Sequence, residues 1–214
     1  MKKLIFVLLA SLMLLALGGC GSDNAAATSS QKAAPAASSS ASSTSGASTQ
    51  KNANAKTLVV YFSCTGNTKA LAGTTAKVLG ADTFEIVPEK AYTQEDLNYN
   101  DDTTRATVEQ KDASVRPAIK NKLDGLEKYD TVVIAYPIWW GQAPRIINTF
   151  LESYDFSGKT LVPICTSASS DIGSSGDYLQ QFAPKANWKD GKRFAKGASE
   201  ADIKTFFADL GLTK

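Results

Sequence analysis

Runs of apolar residues mark the strands of the folded part of this chain. Three of them, TLVVYF (57–62), TVVIAY (131–136) and TLVPIC (160–165), show no alternation with polar residues. Continuous apolar runs of this length are typical of parallel strands that are buried on both faces. DTFEIV (82–87) alternates and predicts an outer strand, and KRFA (192–195) predicts a short fifth strand.

Helical periodicity fills the intervals between these strands. Residues 68–79 repeat apolar side chains at helical spacing and end at Gly80, and a second helix begins at Pro144. Ser199 and Asp202 form a pattern similar to a capping box ahead of a third helix. Strands that alternate with helices predict an α/β protein whose parallel sheet is covered on both faces.

Two segments fit this pattern less simply. Pro163 lies inside a strand that we place in the interior of the sheet, where proline removes a ladder donor, and we expect a bulge there. The segment 88–125 is long, polar and only partly helical in pattern, and its best helical part is TRATVEQKDASVRP (104–117). We interpret this segment as an elaborated second crossover that folds over the functional site.

The N-terminus predicts an export signal. Two lysines precede an apolar run over 4–17, which is shorter than the ~20 residues of a membrane-spanning helix, and small residues follow. LGGC (17–20) resembles the bacterial lipobox, which implies lipidation of Cys20 on the outer face of the cytoplasmic membrane. An ordinary signal peptide over 1–19 with a chance cysteine is the alternative.

The next segment predicts a tether rather than a domain. Residues 21–55 consist mainly of Ala, Ser, Thr, Gly, Asn and Gln and contain no large apolar side chain, so they cannot bury enough surface to fold. As a flexible coil they would span roughly 30–35 Å. We therefore divide the chain into a signal peptide (1–19), a lipidated cysteine with its tether (20–55) and one folded domain (56–214).

Charge and composition exclude several functional classes. Loss of residues 1–19 would remove Lys2 and Lys3 from 23 basic residues and none of the 21 acidic residues, so the remaining chain is formally neutral. A neutral chain without a basic cluster argues against nucleic acid or an anionic membrane surface as a partner. Histidine is absent, which excludes imidazole metal ligands and histidine-based triads, and we predict no metal site.

The turn after the first strand has the composition of an anion site. Ser63, Thr65 and Thr68 offer hydroxyl donors, Asn67 offers an amide, and Gly66 allows close approach of the backbone. The start of a helix leaves backbone N–H groups free, and its dipole favours an anion. The alternative is a polar turn that caps the helix through Asn67.

This turn differs from the common nucleotide-binding loops. It has neither the P-loop pattern nor the glycine triplet of dinucleotide sites, and no lysine or arginine precedes Lys69 within it. A phosphate would therefore be held by dipoles rather than by a cation. This favours a monophosphate over a triphosphate with magnesium.

Two further loops follow the third and fourth strands. YPIWWGQAP (136–144) carries two flat apolar side chains, Trp139 and Trp140, and CTSASSDIGSS (165–175) is rich in small polar residues. Tandem tryptophans occur more often in a core than against a ligand. Pro137 and Gly141 bracket them in a loop, however, which favours a position over a cleft.

These three segments together resemble the flavodoxin family. SCTGNT (63–68) is similar to its phosphate loop, and the two later segments stand where the family places its isoalloxazine loops. The spacing of 92–110 and 191–212 is similar to that of flavodoxin-like bacterial lipoproteins, so the resemblance covers 57–214. It implies a doubly wound, flavodoxin-like α/β/α fold in three layers, with five parallel strands in the order 2-1-3-4-5 and FMN at the switch point between strands 1 and 3.

The resemblance also implies which residues bind the cofactor. One tryptophan is expected to stack on the ring while the other packs inward or forms the rim, and the last loop is expected to meet the polar edge of the ring. The FMN-binding residues implied are Ser63, Thr65, Gly66, Asn67, Thr68, Pro137, Ile138, Trp139, Trp140, Gly141, Thr166, Ser167, Ala168, Ser169 and Asp171.

The last loop departs from the family pattern. Similar proteins carry glycines there, whereas this chain has Ala168, Ser169 and Asp171, which argues against a peptide that flips with the redox state. The Asp171 carboxylate is either solvated or close enough to the ring to repel the anionic reduced flavin and lower its potential. We expect Cys64 and Cys165 to be free, because the third strand would separate their strands by roughly 9–10 Å.

Together these features predict a lipid-anchored, extracytoplasmic FMN protein that transfers electrons. Reduced nicotinamide nucleotides are scarce outside the cell, so a membrane quinol or a redox protein is the expected partner, and quinone-type acceptors are the enzymatic variant. The alternative is a non-catalytic flavin-binding or protein-interaction module without a permanent cofactor, because an unfolded exported chain must acquire FMN outside. Hydrolysis at a serine of the last loop lacks a recognisable base.

Overall fold

One parallel sheet organises the part of the chain that the computed structural model describes, residues 56–213. Its strands are β1 (Thr57–Tyr61), β2 (Asp82–Glu85), β3 (Thr131–Pro137), β4 (Thr160–Thr166), β5 (Asn187–Trp188) and β6 (Lys192–Phe194). The order is β2-β1-β3-β4-β5, and β6 also pairs with β4. The predicted order 2-1-3-4-5 is confirmed, with the fifth position divided between two short strands. The predicted signal peptide, Cys20 and tether lie outside the described residues.

Helices cover both faces of this sheet. They are α1 (Asn67–Leu79), α2 (Arg105–Lys111), α3 (Arg145–Glu152), α4 (Ser175–Gln180) and α5 (Glu200–Asp209), with a 3-10 turn at Leu126–Lys128. Alternate residues of the central strands enter two separate cores, so that Val59 packs with α1 and α5 while Val60 packs on the side of α3. This two-sided burial is the physical reason for the continuous apolar runs. No helix within 56–213 is long and apolar enough to cross a membrane.

Pro163 is accommodated by an irregularity on one side of β4. The register between β3 and β4 is continuous, with Ile134 opposite Pro163. On the other side, β4 advances three residues from Leu161 to Ile164 while its partners advance four, from Trp188 to Lys192, so the expected bulge is present as one extra residue between β5 and β6. Along β4 the Thr166 carbonyl accepts from Ile138 on the β3 side and the Leu161 carbonyl accepts from Lys189 on the other side. Because these directions alternate along a strand, Pro163 faces the break between β5 and β6, where it leaves no central ladder bond unmade.

The helices bear out the sequence analysis in part. The helices after Gly66, Pro144 and Ser199 are confirmed, and the Ser199 hydroxyl accepts from the Asp202 N–H at 3.1 Å as a capping residue does. The helix predicted within 104–117 covers only Arg105–Lys111. It ends there because Asp112 is extended and its carboxylate accepts from the N–H and the hydroxyl of Ser114. The six-residue α4 was not predicted.

Candidate functional site

A cavity of about 540 Å³ lies at the carboxyl ends of β1, β3 and β4. This edge is where the strand order reverses between β1 and β3, and open α/β sheets bind ligands at such a point. Four segments line the cavity. They are the turn after β1 (Ser63, Cys64, Thr65, Thr68), the loop after β3 (Pro137, Ile138, Trp139, Trp140), the loop after β4 (Ser167, Ala168, Ser169, Ser170) and the crossover (Leu97, Tyr99, Ala106).

The turn after β1 is held by its own polar groups. The Gly66 N–H donates to Ser63 Oγ at 3.1 Å, and Asn67 Nδ2 donates to Thr65 Oγ1 at 3.3 Å. Gly66 has a φ of 85°, a left-handed conformation that glycine adopts without strain. Helix α1 begins after Gly66 without a side-chain cap, so the alternative that Asn67 caps the helix is wrong.

A buried hydroxyl pair joins this turn to β4. Thr68 Oγ1 and Thr166 Oγ1 lie 2.8 Å apart, and both side chains are buried. Thr68 also lines the cavity, whereas Thr166 does not. The pair therefore fixes the start of α1 against the end of β4, on opposite sides of β3.

The loop after β3 turns sharply at the tryptophans. Trp139 and Gln142 exchange backbone hydrogen bonds of 2.9 and 3.0 Å, and φ is positive at both residues between them, 48° at Trp140 and 75° at Gly141. Positive φ at both central positions defines a type I′ turn, which is unusual with tryptophan at its first central position. Within 56–213, Trp140 is the one residue other than glycine with positive φ.

The two tryptophans have different surroundings. The Trp139 ring makes edge contacts with Phe62 and Tyr92, at centroid distances of 5.6 and 5.2 Å. Trp140 is 42% exposed and lines the same cavity. The structure thus places one indole inward and the other at the rim.

The loop after β4 is fixed by an arginine that sequence reasoning missed. Arg193 in β6 donates from Nε to Ser167 Oγ at 3.1 Å and from Nη2 to the carbonyls of Ser167 and Ala168 at 3.1 and 3.0 Å. The Ser167 hydroxyl donates in turn to the Ser170 carbonyl. Arg193 pairs with Cys165 at the end of β4. The predicted fifth strand therefore contained the information that Arg193 lies beside the end of β4.

Most of the predicted site residues meet around this cavity, but five do not line it. The five are Gly66, Asn67, Gly141, Thr166 and Asp171. Four of these belong to the turns and strand end just described. Asp171 is exposed, and its carboxylate accepts from the Ile172 N–H at 2.8 Å.

The crossover forms a fourth wall of the cavity, as we expected, although its residues were not foreseen. Leu97 and Tyr99 come from the segment before α2, and Ala106 comes from α2 itself. Tyr99 is 73% exposed. Cys64 and Ser170 are the other cavity residues that the sequence analysis did not select, although Ser170 carries the same hydroxyl as the neighbouring Ser169.

The thiol in the cavity is protonated at neutral pH. Burial raises the pKa of Cys64 to about 12, and the nearby Arg105 guanidinium opposes this rise only in part. Burial likewise raises the pKa of Cys165 to about 12, with a smaller contribution from the Asp171 carboxylate. Cys64 and Cys165 are both free. Neither thiol has the lowered pKa that marks a reactive cysteine.

Comparisons with known proteins agree with this architecture. A sequence model of the flavodoxin family matches residues 56–210. A Bacteroides eggerthii DSM 20697 protein assigned as a flavoprotein is 42% identical, over 74% of this chain and 99% of its own, with a TM-score of 0.71. A similarly assigned protein from Bacteroides uniformis ATCC 8492 is 45% identical, over 72% and 99%, with a TM-score of 0.69.

A third structure supports the fold alone. A flavoprotein from Lactobacillus acidophilus NCFM in complex with FMN is 22% identical, over 71% of this chain and 99% of its own, with a TM-score of 0.51. No protein in a collection of curated sequences matches the chain. The sheet order, the family match over most of the chain and two relatives above 40% identity lead to one conclusion: this chain belongs to the flavodoxin family.

Proposed function

We propose that this chain binds FMN in the cavity at the carboxyl edge of the sheet and transfers electrons through it. The observation that carries the proposal is the meeting of two unlike surfaces in one cavity of about 540 Å³. One is the hydroxyl-rich turn at the start of α1, and the other contains two indole side chains. FMN has a phosphate for the first surface and a planar ring for the second.

The phosphate end of the cavity suits a monoester held without a cation. Backbone N–H groups at the start of the 13-residue α1 and the hydroxyls of Ser63, Thr65 and Thr68 face this region. Lys69, the first cation after the turn, binds Glu85 at 3.1 Å instead. The left-handed Gly66, with a φ of 85°, turns the chain into α1 at this end of the cavity.

The other end suits a flat ring with a polar edge. Trp139 and Trp140 offer apolar surface, and the backbone of 167–170 offers hydrogen-bonding groups held in place by Arg193. The flavin, when bound, supplies the one- and two-electron chemistry, while the protein supplies binding, orientation and the electrostatic surroundings. In this proposal the loops exclude water from the ring and set its potential.

Location selects the electron donor in this proposal. In this proposal the signal peptide (1–19) directs export and is removed, and the lipidated Cys20 with its tether (20–55) holds the domain at the outer face of the cytoplasmic membrane. A membrane quinol or a redox protein is then the electron donor. If the protein acts as an enzyme, it reduces quinone-type acceptors. The alternative remains a module without a permanent cofactor. The N-terminal MKK is not a twin-arginine start, which favours export of the unfolded chain, and such a chain must acquire FMN outside the cell.

A titration of the purified full-length protein tests the proposal. We expect FMN to bind tightly, with a perturbed visible absorption spectrum. Riboflavin, which lacks the phosphate, should bind at least about 10-fold more weakly, because hydrogen bonds to a charged group contribute about 1.5–3 kcal/mol each. Equal binding of the two flavins would contradict the assigned phosphate site. No binding at excess FMN would overturn the proposal and favour the module.

A further inference from the structure

Gln110 uses both ends of its amide to hold the tryptophan loop. Its Nε2 donates to the Trp139 carbonyl at 2.9 Å and to the Ala143 carbonyl at 3.3 Å. Its Oε1 accepts from the Arg145 N–H at 3.2 Å. The side chain is 7% exposed and belongs to α2 of the crossover. One buried side chain therefore spans the loop from its turn to the start of α3.

Arg145 fixes α2 in the position from which Gln110 acts. Its Nη2 donates to the Gln110 carbonyl at 2.7 Å and its Nε donates to the Glu109 carbonyl at 3.4 Å. These carbonyls belong to the last turn of α2, where helical partners run out and the dipole favours a cation. Nη1 donates to Tyr178 Oη at 2.9 Å. The buried guanidinium thereby ties the end of α2 to the start of α3.

A second contact reaches the loop from the same crossover. Tyr92 meets the Trp139 indole edge-on, and its hydroxyl donates to Glu109 Oε2 at 2.5 Å. The Arg105 guanidinium lies 3.9 Å from the centre of the Tyr92 ring and donates to Glu109 Oε1 at 2.7 Å. The crossover thus restrains the indole of Trp139 through Tyr92 and its backbone through Gln110.

The restrained turn is one that its own sequence disfavours. Left-handed backbone is disfavoured at a residue with a large side chain, and Trp140 has a φ of 48°. The Trp139 carbonyl closes the turn by accepting from the Gln142 N–H, and the same oxygen accepts from Gln110. Loss of Gln110 therefore weakens the turn at the bond that closes it.

We propose that Gln110 is a positioning residue for the tryptophan loop: it holds the strained Trp139–Gln142 turn against the cavity. It touches the loop and not the cavity, so it acts on a ligand only through the tryptophans. Its effect on flavin rests on the proposed function, whereas its effect on the turn does not.

The turn is tested first in the protein without flavin. Replacement Trp188→Phe in the full chain leaves Trp139 and Trp140 as the fluorescent residues, and iodide quenching then reports their exposure. In this background we expect Gln110→Met to raise the quenching constant about twofold, because the turn opens locally. Gln110→Glu keeps the size and one acceptor but loses the donors, and we expect the same direction. Unchanged quenching in both variants would overturn the proposal.

Flavin binding gives an independent readout. Without the Trp188 substitution, we expect each Gln110 variant to weaken FMN binding about tenfold, as for the loss of two hydrogen bonds, and to shift the midpoint potential of bound flavin. A role in folding alone would lower the unfolding midpoint without moving the potential. If wild-type protein binds no FMN while quenching still rises in the variants, the proposed function fails and the positioning role stands.

Gln180→Met is the matched control. Gln180 is exposed in α4, and its amide donates to Asp177 at 3.2 Å. It should leave quenching, FMN affinity and potential unchanged. An effect as large as that of Gln110→Met would show that the readouts do not report on the tryptophan loop and would overturn the assignment.

Discussion

Gly191 has no room for a side chain. Among the described glycines without a positive φ, it is the one where an added Cβ would meet the shortest contacts. A Cβ there would lie 2.7 Å from the Pro163 carbonyl oxygen and 2.5 Å from Ile172 Cδ1. Pro163 faces the break between β5 and β6, and the absence of a side chain at Gly191 lets the chain cross that break against it. The proline in β4 and the glycine in the loop form one structural solution.

We predict that Gly191→Ala destabilises the protein by about 1–3 kcal/mol, the usual range for overpacking against backbone. Gly73→Ala is the matched control, because Gly73 lies exposed within α1 with nothing within 4 Å of an added Cβ. It should stabilise by about 0.4–1 kcal/mol by restricting the unfolded chain. Urea unfolding measures both variants. Destabilisation of similar size by both would contradict the packing explanation.

Asp171 gives a second prediction at the scale of one residue. Its carboxylate is exposed and bonded to the Ile172 N–H, outside the cavity lining, which favours the solvated interpretation. We expect Asp171→Asn to change the two-electron midpoint potential of bound flavin by less than about 30 mV, because exposed charges interact by at most about 1 kcal/mol and about 30 mV corresponds to about 1.4 kcal/mol for two electrons. A larger rise in redox titration would place the carboxylate near the ring.

At the scale of elements, α5 depends on its capping residue. Ser199 Oγ accepts from the Asp202 N–H, and the apolar face of this helix fills the core on the α1 side. Ser199→Ala should lower the free energy of unfolding by about 1 kcal/mol, the usual cost of losing an N-cap. Ser199→Thr keeps a hydroxyl that can accept from the Asp202 N–H and donate to the Asp202 carboxylate, and it serves as the control in the same urea titration. Equal losses for both variants would show that the cap is not the cause.

The crossover is also joined to α3 by an ion pair. Arg116 donates from Nε and Nη2 to Glu152 at 2.6 and 2.9 Å, and these bonds lower the pKa of Glu152. A carboxyl whose pKa is lower in the folded state contributes stability above its unfolded pKa and loses that contribution as the pH falls. The contribution is therefore present at neutral pH and disappears in acid.

We predict that Glu152→Gln is less stable than wild type at pH 7 by up to about 1 kcal/mol, as for a partly exposed pair. The difference should decrease once the pH falls below the ordinary glutamate pKa of about 4.3, and it should vanish only below the lowered pKa of Glu152 in the folded state. Denaturant unfolding at several pH values measures it, with Glu127→Gln on the exposed 3-10 turn as the control. A difference that is independent of pH would exclude the ion pair as its source.

At the scale of the whole molecule, the proposed anchor is testable apart from the fold. Lipid chains bind membranes through about 0.8 kcal/mol per buried methylene, so loss of the acylated cysteine should release the protein. We expect Cys20→Ala to move the protein from the membrane fraction to the soluble fraction of cells, and Cys64→Ala to leave it on the membrane. Retention of the Cys20→Ala variant on the membrane would contradict lipid anchoring.

Secondary structure followed from sequence where local and global requirements agree. The runs at 57–62 and 131–136 are apolar on both faces because helices cover both faces of the sheet. Ser199 marks the start of a helix through a local capping bond, which does not depend on what the helix packs against. The helical segment predicted at 104–117 is longer than the observed helix, because the Asp112 carboxylate binds Ser114 in a local turn that competes with the helix. Propensity alone does not decide such a competition.

The three loops of the site were identified in the sequence because each follows a strand and carries a distinctive composition. Their sequence also supplied the hydroxyls, the tandem indoles and the absence of a nearby cation. Membership of a loop does not determine orientation, however. The inward position of Trp139 and the outward position of Trp140 follow from a turn with two positive φ values that no local preference for tryptophan predicts.

The amino-acid sequence was sufficient to predict the order of strands and helices, the absence of histidine chemistry and three of the four segments that line the cavity. The contacts that hold these segments are visible only in the folded protein: Arg193 binds the last loop, and Gln110 and Tyr92 contact the tryptophan loop. These residues act over separations of 25 or more positions in the chain. Patterns of hydrophobicity and capping describe neighbours along the chain, whereas hydrogen bonds between distant segments exist only once the sheet has brought those segments together.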